Sequence, residues 1–209
     1  MKIAIIDYSI GNVQSIFNAL SCNDIEIVIT SDKNQILDSD AVILPGVGAY
    51  KRAMQELKKR NLLNILSDFI CTGKPVLGIC LGMQLLMATS QEFGTSNGLG
   101  LINGKVVKFS ENTKAKLPHV SWNSLVKGSY GWESGLLDGI SEKDDFYFVH
   151  SFICQPKESE NILAYSSYGG QKFCAVVQKD NIYGCQFHPE KSSKMGLKIL
   201  KNFIKISSQ

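Results

Sequence analysis

Histidine is scarce in this chain: only three of the 209 residues are His, beside two Trp and five Pro. Six cysteines stand at positions 22, 71, 80, 154, 174 and 185, and none forms a C-x-x-C pair. So few imidazoles and no paired thiols leave no ligand cluster for a zinc ribbon and no thioredoxin-type motif. Neither a metal nor a cofactor is expected. Charge of one sign is lacking too, since 22 Lys and Arg face 19 Asp and Glu for a net +3. The basic residues are scattered, so nucleic acid is not an expected partner. The nearest approach to a basic stripe, Lys194, Lys198, Lys201 and Lys205, reads as the solvated face of a helix. The longest apolar runs, such as Pro75–Leu81 and Leu85–Ala88, fall far short of the roughly 20 residues of a membrane span, and no membrane association is expected. The opening MKIAIIDYSIGN is interrupted too soon for a secretory signal, which points to the cytoplasm and to free thiols. The 18 glycines follow no period, and neither an internal repeat nor a linker is visible.

What is present is ample material for a core. With 44% hydrophobic and 20% charged residues, the composition is that of a globular protein, and the length favours a single domain over 1–209. Lys2–Asp7 and Ala41–Leu44 read as buried strands, and Ile25–Thr30 is β-branched and strand-like. Val13–Leu20, Ala49–Lys59 and Leu62–Cys71 have apolar residues three and four apart, the spacing of helices. Pro75–Ile79 reads as a strand, and a helix is expected from about Gly82 to Thr89. Apolar strands alternating with amphipathic helices predict an α/β fold, a mostly parallel sheet covered by helices on both faces. Gln91–Gly104, rich in Gly, Asn, Ser and Thr, reads as a loop, and from Lys105 to Phe187 short β-rich segments predict an added antiparallel half. Phe173–Gln178 and Asn181–Phe187 read as a hairpin closed at Lys179–Asp180, and Ser192–Ile206 as a closing amphipathic helix.

Three places carry chemistry. Gly78-Ile79-Cys80-Leu81-Gly82 joins a strand to a helix in the G-x-nucleophile-x-G order of a nucleophile elbow, with Cys as the nucleophile. Such a turn is too tight for neighbouring Cβ atoms, hence the glycines. It lifts the side chain to the carboxyl end of the sheet, over the partial positive charge of a helix start. The Leu81 N–H is expected to be free there to meet a developing oxyanion. A buried, inert core thiol is the plain alternative for Cys80. His188-Pro189-Glu190 follows a strand-like run, and residues two apart on an extended chain share a face, so the Glu190 carboxylate can orient the His188 imidazole. The plain alternative is a solvated strand end. Pro45-Gly46-Val47-Gly48 closes another strand with a turn whose glycines allow peptide groups to face a ligand and to flip.

With these pieces the sequence resembles the class I (triad) glutamine amidotransferases, and within them the glutaminase subunits of imidazole glycerol phosphate synthase. The matching segments are IDYSIGN at 6–12, PGVGAY at 45–50, KPVLGICLGMQLL at 74–86, PHVSWN at 118–123, FYFVHSF at 146–152 and FHPEKS at 187–192. The resemblance implies a flavodoxin-like fold and L-glutamine as substrate. It implies Cys80 as nucleophile, His188 as general base and acid, and Glu190 as the residue orienting it. Oxyanion donors would be the Leu81 N–H and one from the Val47–Gly48 turn. Gly48, Gln84 and the backbone around Ser151 would hold the amino acid end of glutamine. Tyr8, Asn12, Trp122, Asn123, Tyr147 and Lys191 would lie near the face meeting a cyclase (synthase) subunit in a heterodimer. Ser9 and Ser121 stand where that family commonly has Gly, both in partner-facing motifs. That leaves open a paralogue supplying ammonia for amidine formation on a surface-glycan sugar. Two readings of other classes also stay open at this point, a stand-alone cysteine hydrolase of γ-glutamyl compounds and a non-catalytic binding subunit.

Overall fold

Alternate residues of the short apolar strands enter two separate cores, which makes this a covered α/β sheet. The computed structural model describes residues 1–110, 115–128 and 131–208. Its first part runs β1 (Lys2–Ile6), α1 (Val13–Leu20), β2 (Glu26–Thr30), α2 (Lys33–Leu37), β3 (Ala41–Leu44), α3 (Tyr50–Lys59), α4 (Leu62–Cys71), β4 (Val76–Ile79) and α5 (Leu81–Leu85). Ile3, Ile5, Ala41, Ile43, Leu77 and Ile79 join the core that also holds Ile16 and Leu20 of α1. Ala4, Ile6, Val42, Leu44 and Val76 join the other, with Ile36 of α2, Leu57 of α3 and Phe69 of α4. The period of two along each strand thus sends neighbours to opposite faces, and each face is roofed by helices.

The second part adds β5 (Met87–Ser90), β6 (Ser96–Asn97), β7 (Ile102–Lys108), β8 (His119–Ser124), β9 (Val126–Lys127), β10 (Asp145–His150), β11 (Phe152–Pro156), β12 (Ile162–Tyr168), β13 (Gln171–Lys179), β14 (Ile182–Cys185) and α6 (Ser193–Ile206). The main sheet has the order β2-β1-β3-β4-β14-β13-β11-β7-β5-β6, with β12 pairing β13 and β9. The β2, β1, β3, β4 and β14 strands are mutually parallel. The β13, β11 and β7 strands continue it antiparallel. The expected hairpin forms between β13 and β14, with Lys179 opposite Ile182. Its turn falls one residue later than the sequence suggests, at Asp180–Asn181, with Asp180 at φ 51. The β8 and β10 strands form a separate antiparallel ribbon.

Three local readings are corrected. The helix expected to reach Thr89 stops at Leu85, because Met87–Ser90 pairs as a strand with β7 and β6. An apolar run such as LLMA suits either state, and the available sheet edge decides. Within the expected loop 91–104, Ser96–Asn97 forms the short β6. Residues 33–37, left without an element by the sequence pattern, form a five-residue helix whose Asp32 cap accepts from the Gln35 N–H at 2.9 Å.

Candidate active site

The topology brings the motifs together. The β4 and β14 strands are parallel neighbours in register, Ile79 opposite Cys185, so both chains leave the same edge of the sheet side by side. The ladder runs one residue further, with the Cys80 N–H donating to Cys185 O at 2.8 Å. Cys80 therefore emerges beside Gln186–His188, and β3, next to β4, delivers Pro45–Gly48 to the same edge. This is the carboxyl end of the parallel strands, where open α/β sheets bind ligands.

Cys80 sits at φ 53 and ψ −108, a conformation that L-residues rarely adopt. The turn is enforced by its glycines. A Cβ on Gly78 would lie 2.7 Å from the Gly82 backbone, and one on Gly82 would lie 1.8 Å from Leu44 O. The sulfur lines a cavity of about 460 Å³, with Val47, Gly48, Gln84, Glu92, Ser151 and His188 also on its wall. It lies 3.9 Å from Val149 O and 3.8 Å from the Gln186 Nε2 amide, and it also interacts with the His188 imidazole.

Opposite the sulfur, His188 Nδ1 lies 2.8 Å from Glu190 Oε1, with both side chains buried. Asn12 Nδ2 approaches the same carboxylate oxygen at 3.5 Å. Burial by itself would lower the His188 pKa, but the neighbouring Cys80 sulfur and Glu190 carboxylate raise it to about 10. His188 Nε2 and Glu190 Oε2 are buried without a hydrogen-bond partner among the described residues. The unpartnered Nε2 belongs to the face of the ring turned away from Glu190. An imidazole held on one nitrogen by a carboxylate, with its other nitrogen uncommitted beside a cavity-lining thiol, can move protons to and from a group bound at the sulfur.

The Leu81 N–H is not free. It donates to Gly46 O at 3.3 Å, so in this state the turn that follows β3 occupies the donor the sequence reading left open. A Cβ on Gly46 would lie 2.7 Å from Tyr8 Oη and 2.8 Å from Leu81 Cβ, whereas Gly48, at φ +95, has nothing within 4 Å of that position. Tyr8, expected near a partner-facing surface, is fully buried beneath this turn, and its hydroxyl donates to Pro45 O at 2.6 Å. Asn12 is likewise turned toward Glu190. By contrast Trp122 is 50% exposed and packs against Tyr147 at 5.9 Å between ring centroids, and Lys191 is exposed. Asn123 is tied to Ser167 O and to the Ser121 hydroxyl.

Five cavity residues were given no role by the sequence reading: Glu92, Phe93, Val149, His150 and Phe152. Gln186, fully buried and touching the sulfur, escaped it as well. The signal for Gln186 was available, since it stands two residues before His188 and so shares its face. Gln84 is held by its amide nitrogen, 3.1 Å from Phe152 O and 3.1 Å from Gln186 Oε1. No group of three or more His, Cys, Asp or Glu able to hold a metal ion occurs among the described residues.

Residues 4–206 match the family model described as glutamine amidotransferase class-I. The chain belongs to this family. As a class I glutamine amidotransferase it is 41% identical to "Imidazole glycerol phosphate synthase subunit HisH 1" of Legionella pneumophila (strain Lens), an alignment covering 98% of this chain and 99% of that one. It is 44% identical to "Imidazole glycerol phosphate synthase subunit HisH" of Lactococcus lactis subsp. lactis (strain IL1403), over 97% and 98% of the two chains. The amidotransferase fold is also seen in the solved "Structure of PurLQS from Thermotoga maritima", at a TM-score of 0.74 and 19% identity, covering 98% of this chain and 97% of that chain. In this amidotransferase no described helix is long and apolar enough to cross a membrane.

Proposed function

We propose that the chain is the glutaminase subunit of an imidazole glycerol phosphate synthase in the cytoplasm, working in histidine biosynthesis. It hydrolyses L-glutamine to glutamate and ammonia and passes the ammonia to a cyclase subunit in a heterodimer. The observation that carries this reading is the placement of Cys80 and of the His188–Glu190 pair at the ends of two adjacent parallel strands, around one cavity. The names borne by the relatives supply the pathway.

The chemistry follows from the groups present. The Cys80 thiolate attacks the side-chain amide carbon of glutamine, and the carbonyl electrons move onto oxygen. When the C–N bond breaks, His188 Nε2 delivers a proton to the leaving nitrogen, and ammonia departs from a glutamyl thioester. His188 then takes a proton from water as its oxygen attacks the thioester, and glutamate leaves with the thiolate restored. Glu190 keeps the imidazole oriented and favours its charged form.

The amino acid end is matched by the far wall. Gln84 donates from its amide nitrogen to Phe152 O and to Gln186 Oε1, which leaves its own Oε1 available to accept. That oxygen and the Glu92 carboxylate suit the α-ammonium, and the Ser151 backbone suits the α-carboxylate. The oxyanion needs N–H donors, and Leu81 N–H is engaged by Gly46 O. Turning over the Gly46–Val47 peptide would withdraw that carbonyl and bring the Val47 N–H inward, completing the pair. Seating of the partner is the event that drives it. Loss of one oxyanion donor costs on the order of 10²–10³ in rate, so the isolated chain should be a weak glutaminase.

The test is ammonia release from glutamine by the isolated chain and by the chain with its cyclase. We expect weak activity alone and a large rise in the complex. Cys80→Ser should abolish glutamine-dependent synthesis while ammonia-dependent synthesis by the complex persists. Equal rates with and without the cyclase would remove the gating step. Loss of ammonia-dependent synthesis in the Cys80 variant would contradict the role given to the thiol.

A further inference from the structure

Gln186 is the first residue beyond β14, and its side chain is fully buried. Its backbone N–H donates to Ala175 O of β13 at 2.8 Å, and the residue before it, Cys185, accepts from the Cys80 N–H, so its place between β4 and β13 is fixed. Burying an amide costs free energy unless its N–H and C=O groups are used. Both ends are used here. Gln186 Oε1 lies 3.1 Å from Gln84 Nε2, and Gln186 Nε2 lies 3.8 Å from the Cys80 sulfur. A backbone carbonyl settles which end faces which partner. The Gln84 atom that meets Gln186 also lies 3.1 Å from Phe152 O. A carbonyl oxygen only accepts, so that atom is the amide nitrogen of Gln84. Its two hydrogens then have two acceptors, Phe152 O and Gln186 Oε1. His150 Nδ1, 2.9 Å from the same carbonyl, meets the second of its two lone pairs. With its oxygen committed to Gln84, Gln186 turns its nitrogen to the sulfur.

We propose that Gln186 is a further residue of the reaction: its amide N–H holds negative charge on the Cys80 sulfur, while its oxygen keeps the Gln84 amide turned so that the Gln84 oxygen can accept from the substrate ammonium. One side chain thereby sets both ends of the substrate. The second half rests on the reading of this cavity as a glutamine site; the first does not. An N–H aimed at sulfur favours thiolate over thiol, because hydrogen bonds to a charged acceptor are the stronger ones. Val149 O faces the same sulfur but can only accept, so it offers the thiolate nothing. The donation serves twice, before the sulfur attacks and again when the thioester breaks and the sulfur regains its charge. An amide neither gains nor loses a proton near neutral pH, so Gln186 leaves proton transfer to His188.

Two variants of the full chain separate the two ends of the amide. Gln186→Met keeps the volume but offers neither donor nor acceptor. Gln186→Glu keeps the shape and an oxygen for Gln84 but takes the N–H from the sulfur. Its carboxyl is the stronger acid of the two groups, so it holds the negative charge and the thiol keeps its proton. Reactivity of the sulfur is read as the rate of Cys80 alkylation by iodoacetamide at neutral pH without glutamine, followed on the Cys80 peptide by mass spectrometry. Glutamine binding is read as the glutamine concentration that halves this rate. A lost hydrogen bond to a charged group corresponds to about tenfold or more, so alkylation should slow by at least about that factor in both variants. The half-protecting concentration should rise about tenfold in Gln186→Met, where a Gln84 N–H is left buried without an acceptor, and stay close to the native value in Gln186→Glu. A loss of packing alone would not split the two readouts in this way. Alkylation at the native rate in either variant would overturn the donation to the sulfur. A half-protecting concentration raised alike in both variants, or in neither, would overturn the hold on Gln84. Should Gln186→Met not fold, Gln186→Glu, matched in shape, decides both halves. Failure of glutamine to protect even the native chain would instead count against the glutamine reading, and the alkylation rates alone would then decide the contact with the sulfur.

Discussion

His188 is the residue whose environment says most about the site. Its Nδ1 is committed to Glu190, its Nε2 has no partner among the described residues, and its pKa is raised from 6.5 to about 10. The sulfur of Cys80 and the Glu190 carboxylate act against burial to produce that rise. A raised folded-state value means that the imidazolium is favoured in the folded chain. Its contribution to stability is complete below the ordinary value of 6.5 and is lost as pH rises through about 10. Glu190→Gln removes one of the two groups responsible, so the decline between those limits should shrink. Urea midpoints taken across that pH span, native against variant, check this. Identical slopes would mean that the carboxylate does not sustain the charge on His188. The same substitution should cut glutamine hydrolysis by about 10²-fold or more, since the ring loses the partner that orients it.

At the scale of elements, the turn between β4 and α5 governs everything near the sulfur. It is shaped by a contact that no side chain tolerates, because a Cβ on Gly82 would stand 1.8 Å from the backbone oxygen of Leu44 in β3. The neighbour is backbone within a parallel sheet, so relief requires parting α5 from β3. Gly82→Ala should cost at least about 2 kcal/mol of unfolding free energy, at the upper end of what overpacking costs, and should sharply lower glutamine hydrolysis even where the chain still folds. Thermal and urea unfolding give the first number. A variant as stable as the native chain would show that the turn relaxes easily. Gly48 makes the contrast. It has open space around it and a φ of +95, so its constraint lies in the backbone conformation.

Across the whole molecule, the β8–β10 ribbon links surface to site. Its outward side exposes Val120 at 52% and Trp122 at 50%. Its backbone reaches the reacting groups, since Tyr147 O accepts from the His188 N–H at 3.0 Å and Val149 O lies 3.9 Å from the sulfur. A cyclase resting on Trp122 would thus bear on the strand that braces both His188 and Cys80. Trp122→Ala removes a half-exposed ring, so the stability of the isolated chain should change by no more than about 0.5 kcal/mol. Affinity for the cyclase, by titration calorimetry, should fall by about tenfold or more, as expected of an aromatic anchor. Undiminished affinity would move the docking face elsewhere.

Much of this was legible in the sequence, and for local reasons. The alternation of apolar residues marked β1, β3 and β4 as covered strands, because a period of two feeding two cores leaves no polar face. The glycines around Cys80 marked a strand-to-helix turn, because no other residue fits it. The two-residue spacing of His188 and Glu190 let their side chains meet, and they do so at 2.8 Å. What the sequence could not decide depends on pairing between distant strands. Only the parallel register of β4 with β14 sets Cys80 beside His188, and only the tertiary fold buries Tyr8, ends α5 at Leu85 and closes the Leu81 N–H against Gly46 O. The Gln186 amide belongs to the same class, 102 positions from Gln84 and 106 from Cys80 and in contact with both. Local patterns fix which way a side chain faces along its own strand. Which strand lies alongside is chosen by the burial and hydrogen bonding of the whole sheet.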